Sequence, residues 1–307
     1  MADALSLNVG YATDPGLVRR ENQDALDYRI PEDPAVRDER GALFVVCDGI
    51  GGLSAGGQAS RMALQAFIQT YYALPYAACD RLLRQAAEQA NAAIFEANRG
   101  RSGPARMGTT LVAAAIIGRE LWAANLGDSR CYIWRAGALD QLTHDHAPAA
   151  RRANDRQISR ALGAERAVNA DLFGPVQLAA GDCLLLCTDG LSTAVSNQAI
   201  ARTLREFTGQ SAARQLLLQT QTAGARDNVS ILVVNIADTA PATSWFSGQR
   251  AVLRSMLARV TWADLDPWRI ISTGHWRTRR GLVVLLLWML LALLLGLSVG
   301  WLVTFSH

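Results

Sequence analysis

The chain has 307 residues, half of them hydrophobic and 19% charged, against about 25% charged in a typical soluble domain; this supplies a sizeable core and excludes a mainly disordered chain or a small disulfide-stapled scaffold. The net charge of +3 hides an asymmetry: residues 1–240 hold 23 arginines against 25 acidic residues and come to −2, whereas residues 241–307 hold 7 against 2 and come to +5. The body therefore lacks the electrostatic footprint of a nucleic-acid binder, and the basic excess lies near the C-terminus.

In chain order, residues 1–10 carry neither the basic nor the apolar region of a secretion signal. An apolar, β-rich run at 42–47 predicts a strand, and apolar residues at three- and four-residue spacing predict helices at 58–72 and 80–98. Strands follow at 110–117 and 120–125, with Gly118-Arg119 between them as a hairpin signal, and another at 130–134. After a strand at 183–187 come helices at 197–207 and 211–222 and a last strand at 229–236. This order points to antiparallel sheets covered by helices rather than to βαβ repeats. There is no glycine-rich dinucleotide fingerprint and no Gly-Lys-Ser phosphate loop. Cys47, Cys79, Cys131, Cys183 and Cys187 show no metal-ligand spacing, and several lie inside apolar runs, as small buried hydrophobes do.

The tail differs from the body. Residues 238–280 open as a linker and continue with Val252, Leu253, Met256, Leu257 and Val260 at helical spacing beside Arg250, Arg254 and Arg259. That pattern suits a basic amphipathic helix on anionic lipid and equally an ordinary helix packed on the body. Residues 281–305 contain no charge, and a helix crosses about 30 Å of hydrocarbon in ~20 residues. Arg277, Arg279 and Arg280 precede this run, and positive residues stay on the cytoplasmic side. The expectation is a single C-terminal transmembrane helix at 281–305, with the body (1–237) in the cytoplasm at a bacterial inner membrane.

The chemically informative residues are aspartates that follow apolar strands. Leu43–Cys47 runs into Asp48-Gly49-Ile50-Gly51-Gly52, and Cys183–Cys187 runs into Thr188-Asp189-Gly190. Asn125-Leu126 leads into Gly127-Asp128-Ser129-Arg130, and Asp227-Asn228 stands just before the last strand. A carboxylate at a strand end is held by a rigid sheet, and a neighbouring glycine lets backbone approach a ligand closely. Several such carboxylates repel one another unless a divalent cation neutralises them, and all-oxygen ligands suit Mg2+ or Mn2+. Taken singly, each Asp reads better as a turn cap; the fourfold recurrence favours the metal.

Eight motifs in order carry a resemblance. They are Arg19-Arg20-Glu21-Asn22-Gln23-Asp24; Val46-Cys47-Asp48-Gly49-Ile50-Gly51-Gly52 with Ala59-Ser60; Met107-Gly108-Thr109-Thr110-Leu111; Asn125-Leu126-Gly127-Asp128-Ser129-Arg130; Leu142-Thr143-His144-Asp145-His146; Ser159-Arg160-Ala161-Leu162-Gly163; Gly181-Asp182 running to Thr188-Asp189-Gly190-Leu191; and Asp227-Asn228-Val229-Ser230. Over residues 5–237 the chain resembles the metal-dependent protein phosphatase family, type 2C, in its bacterial form. The resemblance implies an α+β fold in which two antiparallel sheets form a sandwich flanked by helices, with metals in a cleft at one end. It implies two Mg2+ or Mn2+ ions bridged by Asp48, with the carbonyl of Gly49 and the carboxylates of Asp189 and Asp227 completing the set. Asp24 either binds an ion or backs a residue that does, and Asp128 with Asp189 holds a third. Arg19 matches the arginine that grips the substrate phosphate, with Arg20 as the weaker candidate.

The activity so implied is hydrolysis of phosphoserine and phosphothreonine on proteins by water that a metal pair activates, without a phosphoenzyme. No cysteine begins a Cys-x5-Arg loop, which argues against a tyrosine phosphatase. The expected partners are phosphorylated proteins, a Ser/Thr kinase and its targets among them. The alternative is a phosphatase-like module that binds phosphorylated partners without cleaving them. Two departures stand out. Ile50 takes the place where animal members have a histidine, so the leaving-group acid is open; His144 and His146 are nearest in sequence, with a structural role favoured for both. The segment 145–159, with Arg151, Arg152 and Arg156, is short for the flap that shapes substrate choice in bacterial relatives.

Overall fold

The computed structural model describes residues 5–50, 55–146 and 160–238. The tail at 239–307, the Gly51–Gly52 end of the first aspartate motif and the arginines of the short flap lie outside the described residues. Among the described residues no helix is long and apolar enough to cross a membrane.

Two five-stranded antiparallel sheets carry the body. One runs β1 (Leu5–Asp14), β12 (Val229–Asp238), β11 (Cys183–Cys187), β8 (Arg130–Arg135) and β9 (Ala138–Gln141). The other runs β10 (Asp171–Gln177), β7 (Glu120–Leu126), β6 (Leu111–Ile117), β3 (Ala42–Cys47) and β2 (Ala25–Arg29). Two-residue strands β4 (Gly49–Ile50) and β5 (Gly108–Thr109) pair beside them. The helices are α1 (Pro34–Arg40), α2 (Ala55–Ala73), α3 (Cys79–Ala97), α4 (Asp189–Ala194), α5 (Asn197–Glu206) and α6 (Gly209–Thr222).

Alternation along the central strands builds a four-layer structure. In β3, Leu43, Val45 and Cys47 pack with Phe67, Tyr71, Leu82 and Ile94 of α2 and α3, while Phe44 and Val46 face inward. In β11, Leu184 and Leu186 meet them across the sandwich, and Cys183, Leu185 and Cys187 turn to Leu191, Ile200, Ala213 and Leu216 of α4–α6. Strands buried on both faces read as unbroken apolar runs. Each fully buried Leu, Val or Phe contributes about 1.5–3 kcal/mol. The expected helix–sheet–sheet–helix sandwich is therefore present. All five cysteines are buried and unbridged, and burial pushes their thiols up, so they serve as core.

Sheet order also gathers the site. Asp48 directly follows β3, Asp128 and Asp189 stand two residues past β7 and β11, and Asp227 stands two residues before β12; all four strands are interior to their sheets.

Candidate active site

Asp48 follows the last residue of β3, and its backbone is fixed on both sides. Its N–H donates to Thr110 Oγ1 (2.9 Å), and its carbonyl accepts from Thr109 Oγ1 (2.7 Å) and Thr110 N (2.9 Å). Gly49 needs to be glycine: a Cβ there would stand 2.4 Å from the carbonyl oxygens of both Gln23 and Gly56. Thr110 Oγ1 also meets Ser129 Oγ at 2.7 Å. One hydroxyl pair thus ties the Asp48 turn to the Gly127-Asp128-Ser129 turn between β7 and β8.

A second brace comes from Asn228. Its Nδ2 donates to the carbonyls of Pro15 and Glu21, and its Oδ1 accepts from Gln23 N, all at 2.9 Å. Gly16, at φ +75°, lies so close to Asp227 that a Cβ would come 2.3 Å from its carbonyl oxygen. These contacts fasten the β1–β2 loop, which carries Arg19 and Asp24, to the approach to β12. Asp189 is the first residue of α4, and Gly190 beside it packs against the Asn228 carbonyl, where a Cβ would meet it at 2.1 Å.

The predicted carboxylates lie within electrostatic reach of one another. Burial, then the charges of Asp24, Asp189, Asp128 and Asp227, push the Asp48 carboxyl well above the usual carboxylate range. Asp24 is buried, and that burial raises it to about 7 against the pull of the Thr188 and Ser230 hydroxyls, with Asp189 and Asp227 adding to the rise. Thr188 Oγ1 donates to Asp24 Oδ2 (2.9 Å), while Asp24 Oδ1 is buried with no hydrogen-bond partner. A lone buried carboxylate oxygen amid further carboxylates is a stated need for positive charge.

Arg19 meets part of that need. Its Nε and Nη2 donate to Asp227 Oδ1 and Oδ2 at 2.9 and 3.0 Å, a two-pronged pair. The Asp227 hydrogen bonds and charge, then Asp48 and Asp189, hold the guanidinium above its ordinary value. Arg20 is exposed and takes no part in this fork. The arginine expected on phosphate thus rests on a carboxylate expected on metal. Among the described residues no three His, Cys, Asp or Glu side chains stand as a group that could hold a metal ion. The donor chemistry nevertheless fits hard divalent cations: oxygen donors only, mutually repelling, one of them orphaned and buried.

Arg130 forks onto Asp145 (2.7 and 2.9 Å) and reaches the Tyr132 hydroxyl (2.9 Å). His144 lies edge-on to Phe173, its carbonyl accepting from Asn125, and His146 holds the backbone of Gly127; both histidines have the structural places favoured for them. Thr110, Ser129, Thr188 and Asn228 lie within the sequence motifs, but the sequence alone gives them no role. Their hydroxyl and amide groups beside aspartates, at strand ends, were the available signal.

Comparison with known proteins agrees with this geometry. The family model described as Protein phosphatase 2C matches residues 19–224. The serine/threonine phosphatase stp of Listeria monocytogenes is 30% identical over 247 residues, covering 74% of this chain and 95% of that protein. The serine/threonine protein phosphatase PstP of Mycobacterium tuberculosis is 30% identical over 248 residues, 76% of this chain and 46% of that longer protein. Among solved structures, the catalytic domain of PstP in complex with two manganese ions superposes with a TM-score of 0.65 at 31% identity, covering 76% of this chain and all of that one. PppA of Pseudomonas aeruginosa gives 0.64 at 28% identity, over 75% and 97%. The chain belongs to the protein phosphatase 2C family.

Proposed function

We propose that the chain is a serine/threonine protein phosphatase that hydrolyses phosphoserine and phosphothreonine with Mg2+ or Mn2+, at the cytoplasmic face of a membrane to which residues 281–305 anchor it. One observation carries the chemistry: five aspartates from separate strand ends act on one another's charge around Asp48, with an arginine fork beside them. Asp48, Asp189 and Asp227, with Asp24 and the Gly49 carbonyl, would hold a metal pair, and Asp128 with Asp189 a third ion. When bound, the metals supply Lewis acidity and water activation near neutral pH.

The chain's own residues do the rest. Arg19 stands among these carboxylates with two parallel N–H donors, the geometry that matches two oxygens of a phosphate monoester. It captures the phosphate by exchanging Asp227 for the substrate's oxygens. Asp48, whose backbone donates one hydrogen bond to Thr110 and accepts one each from Thr109 and Thr110, keeps its position while charge builds up beside it. Thr188 positions Asp24 behind it. No histidine takes the place of Ile50, and His146 is engaged with Gly127, so neither supplies a leaving-group proton.

The membrane placement rests on the uncharged run at 281–305 and the arginines before it. A kinase and its targets at the same membrane are the partners this placement favours. The purified full chain in detergent should release phosphate from phosphothreonine and phosphoserine peptides and leave a phosphotyrosine peptide intact. Equal rates on all three would refute the substrate class, and peptide bound but uncleaved would favour the binding-module alternative. Deleting 281–305 should move the protein from the membrane pellet to the supernatant; a protein that stays in the pellet would refute the anchor.

A further inference from the structure

His146 is bound to one residue twice. Its backbone N–H donates to the Gly127 carbonyl (2.8 Å), and its ring Nδ1 lies 3.1 Å from the Gly127 N–H. A backbone N–H can only donate, so Nδ1 must carry a lone pair, and the neutral ring must hold its proton on Nε2. Nε2 faces Asp171 Oδ2 at 2.9 Å, an acceptor that fixes this tautomer. Arg160 closes the far side: its Nη1 donates to Asp171 Oδ1 (2.8 Å) and stands 3.1 Å from Nε2, and its Nη2 donates to the Asn169 carbonyl. Against its burial, the hydrogen bonds from His146 and Arg160 hold Asp171 below its ordinary value, so it is an ionised acceptor.

Gly127 is an unusual residue to grip. Its φ of +123° suits glycine alone, and a Cβ would meet Thr110 Cγ2 at 2.6 Å. Asp128, the next residue, is buried, and its charge acts on Asp48. Asn125 Nδ2 also donates to the Gly127 carbonyl, at 3.3 Å. The turn that aims Asp128 is thus held from behind by an imidazole, itself held by a carboxylate–guanidinium pair.

We propose that His146 is a positioning residue of the phosphatase: its Nε2-protonated ring, oriented by Asp171 and Arg160, clamps Gly127 and so aims the Asp128 carboxylate at the metal cleft. It touches neither substrate nor metal and acts through Gly127. The proposal rests on the phosphatase reading for its consequence, but its geometry is testable without any activity.

The direct test is 15N NMR of the full chain labelled at histidine, which has only four such residues. His146 should show the Nε2–H tautomer with an unprotonated, hydrogen-bonded Nδ1, assigned by loss of its signal in His146→Asn. An Nδ1–H tautomer would overturn the clamp, whatever the enzyme does. The functional arm compares three variants. Asn places an amide oxygen near the position of Nδ1, whereas Gln places one nearer that of Nε2. His146→Asn should keep turnover within about tenfold of the parent. His146→Gln and His146→Ala should lose 10–100-fold, the usual scale for residues behind a metal ligand, with Mn2+ affinity of the outermost ion falling in parallel. Equal losses in Asn and Gln forms, or a falling melting temperature with turnover per folded molecule unchanged, would contradict positioning. If no form including the parent shows turnover, the phosphatase reading fails while the tautomer result still judges the clamp.

Discussion

Asp48 feels the charges of the other four carboxylates, and its backbone is held on both sides by Thr109 and Thr110. Removing it takes away the centre of the donor set without touching the sandwich core. Asp48→Ala and Asp189→Ala should each lower turnover by more than about a hundredfold, beyond the 10–100-fold expected for residues behind a ligand, while the melting temperature of the metal-free protein holds or rises. A variant retaining a tenth of parent activity would count against that residue's place in the set. Arg19 has a different signature. A charge-assisted hydrogen-bond pair is worth about 1.5–3 kcal/mol, and in the structure it is made to Asp227. Arg19→Ala should raise KM roughly tenfold to a hundredfold with kcat less affected, and the freed Asp227 should bind Mn2+ at least as well as in the parent. Unchanged KM with weakened metal affinity would reverse the assignment, making Arg19 a support for the ligand rather than a phosphate grip.

The elements show what a sequence can and cannot reveal. The six interior strands of the two sheets, β3, β6, β7, β8, β11 and β12, were all legible, because burial on both faces leaves continuous apolar runs. The four edge strands were not. β1 alternates half-exposed residues along its first five positions and finds its stability in ten-residue pairing with β12. β10 carries Gly174-Pro175 inside it, a turn signal in any sequence, and is bulged between Phe173 and Val176 against β7. β2 and β9 are five and four residues long. The aspartates near the ends of interior strands could accordingly be singled out as candidates, whereas the Thr110–Ser129 and Asn228 braces depend on which turns meet in space. Gly127 tests that dependence. Gly127→Ala forces a Cβ against Thr110 and an L-residue into a glycine conformation, a strain of order 1–3 kcal/mol. The variant should melt several degrees lower and lose turnover together, since the same turn holds Ser129 and Asp128. Normal stability and normal activity would mean that the turn tolerates displacement.

At the scale of the whole molecule, two sheets bring like charges together at one place in the fold, and stability there opposes function. Asp24 has a folded pKa of about 7 and an unfolded one near 3.9. Between those values the folded chain binds more protons than the unfolded chain, so stability falls as pH rises from about 4 to 7. The metal-free full chain should therefore melt at lower temperature at pH 7 than at pH 5, with a smaller difference in Asp24→Asn, which cannot ionise. Mn2+ should raise the melting temperature most at the higher pH, because ionised carboxylates bind it and the bound ion stabilises the folded state. A slope identical in parent and Asp24→Asn would remove Asp24 from the explanation. The most direct test of the metal-dependent phosphatase itself is the rate of phosphate release from a phosphothreonine peptide by the purified full chain. It is measured in Mn2+, after chelation with EDTA, and after Mn2+ is restored. Turnover that disappears with EDTA and returns with Mn2+ is the predicted result; turnover indifferent to chelation, or none at any Mn2+ or Mg2+ concentration, would contradict it.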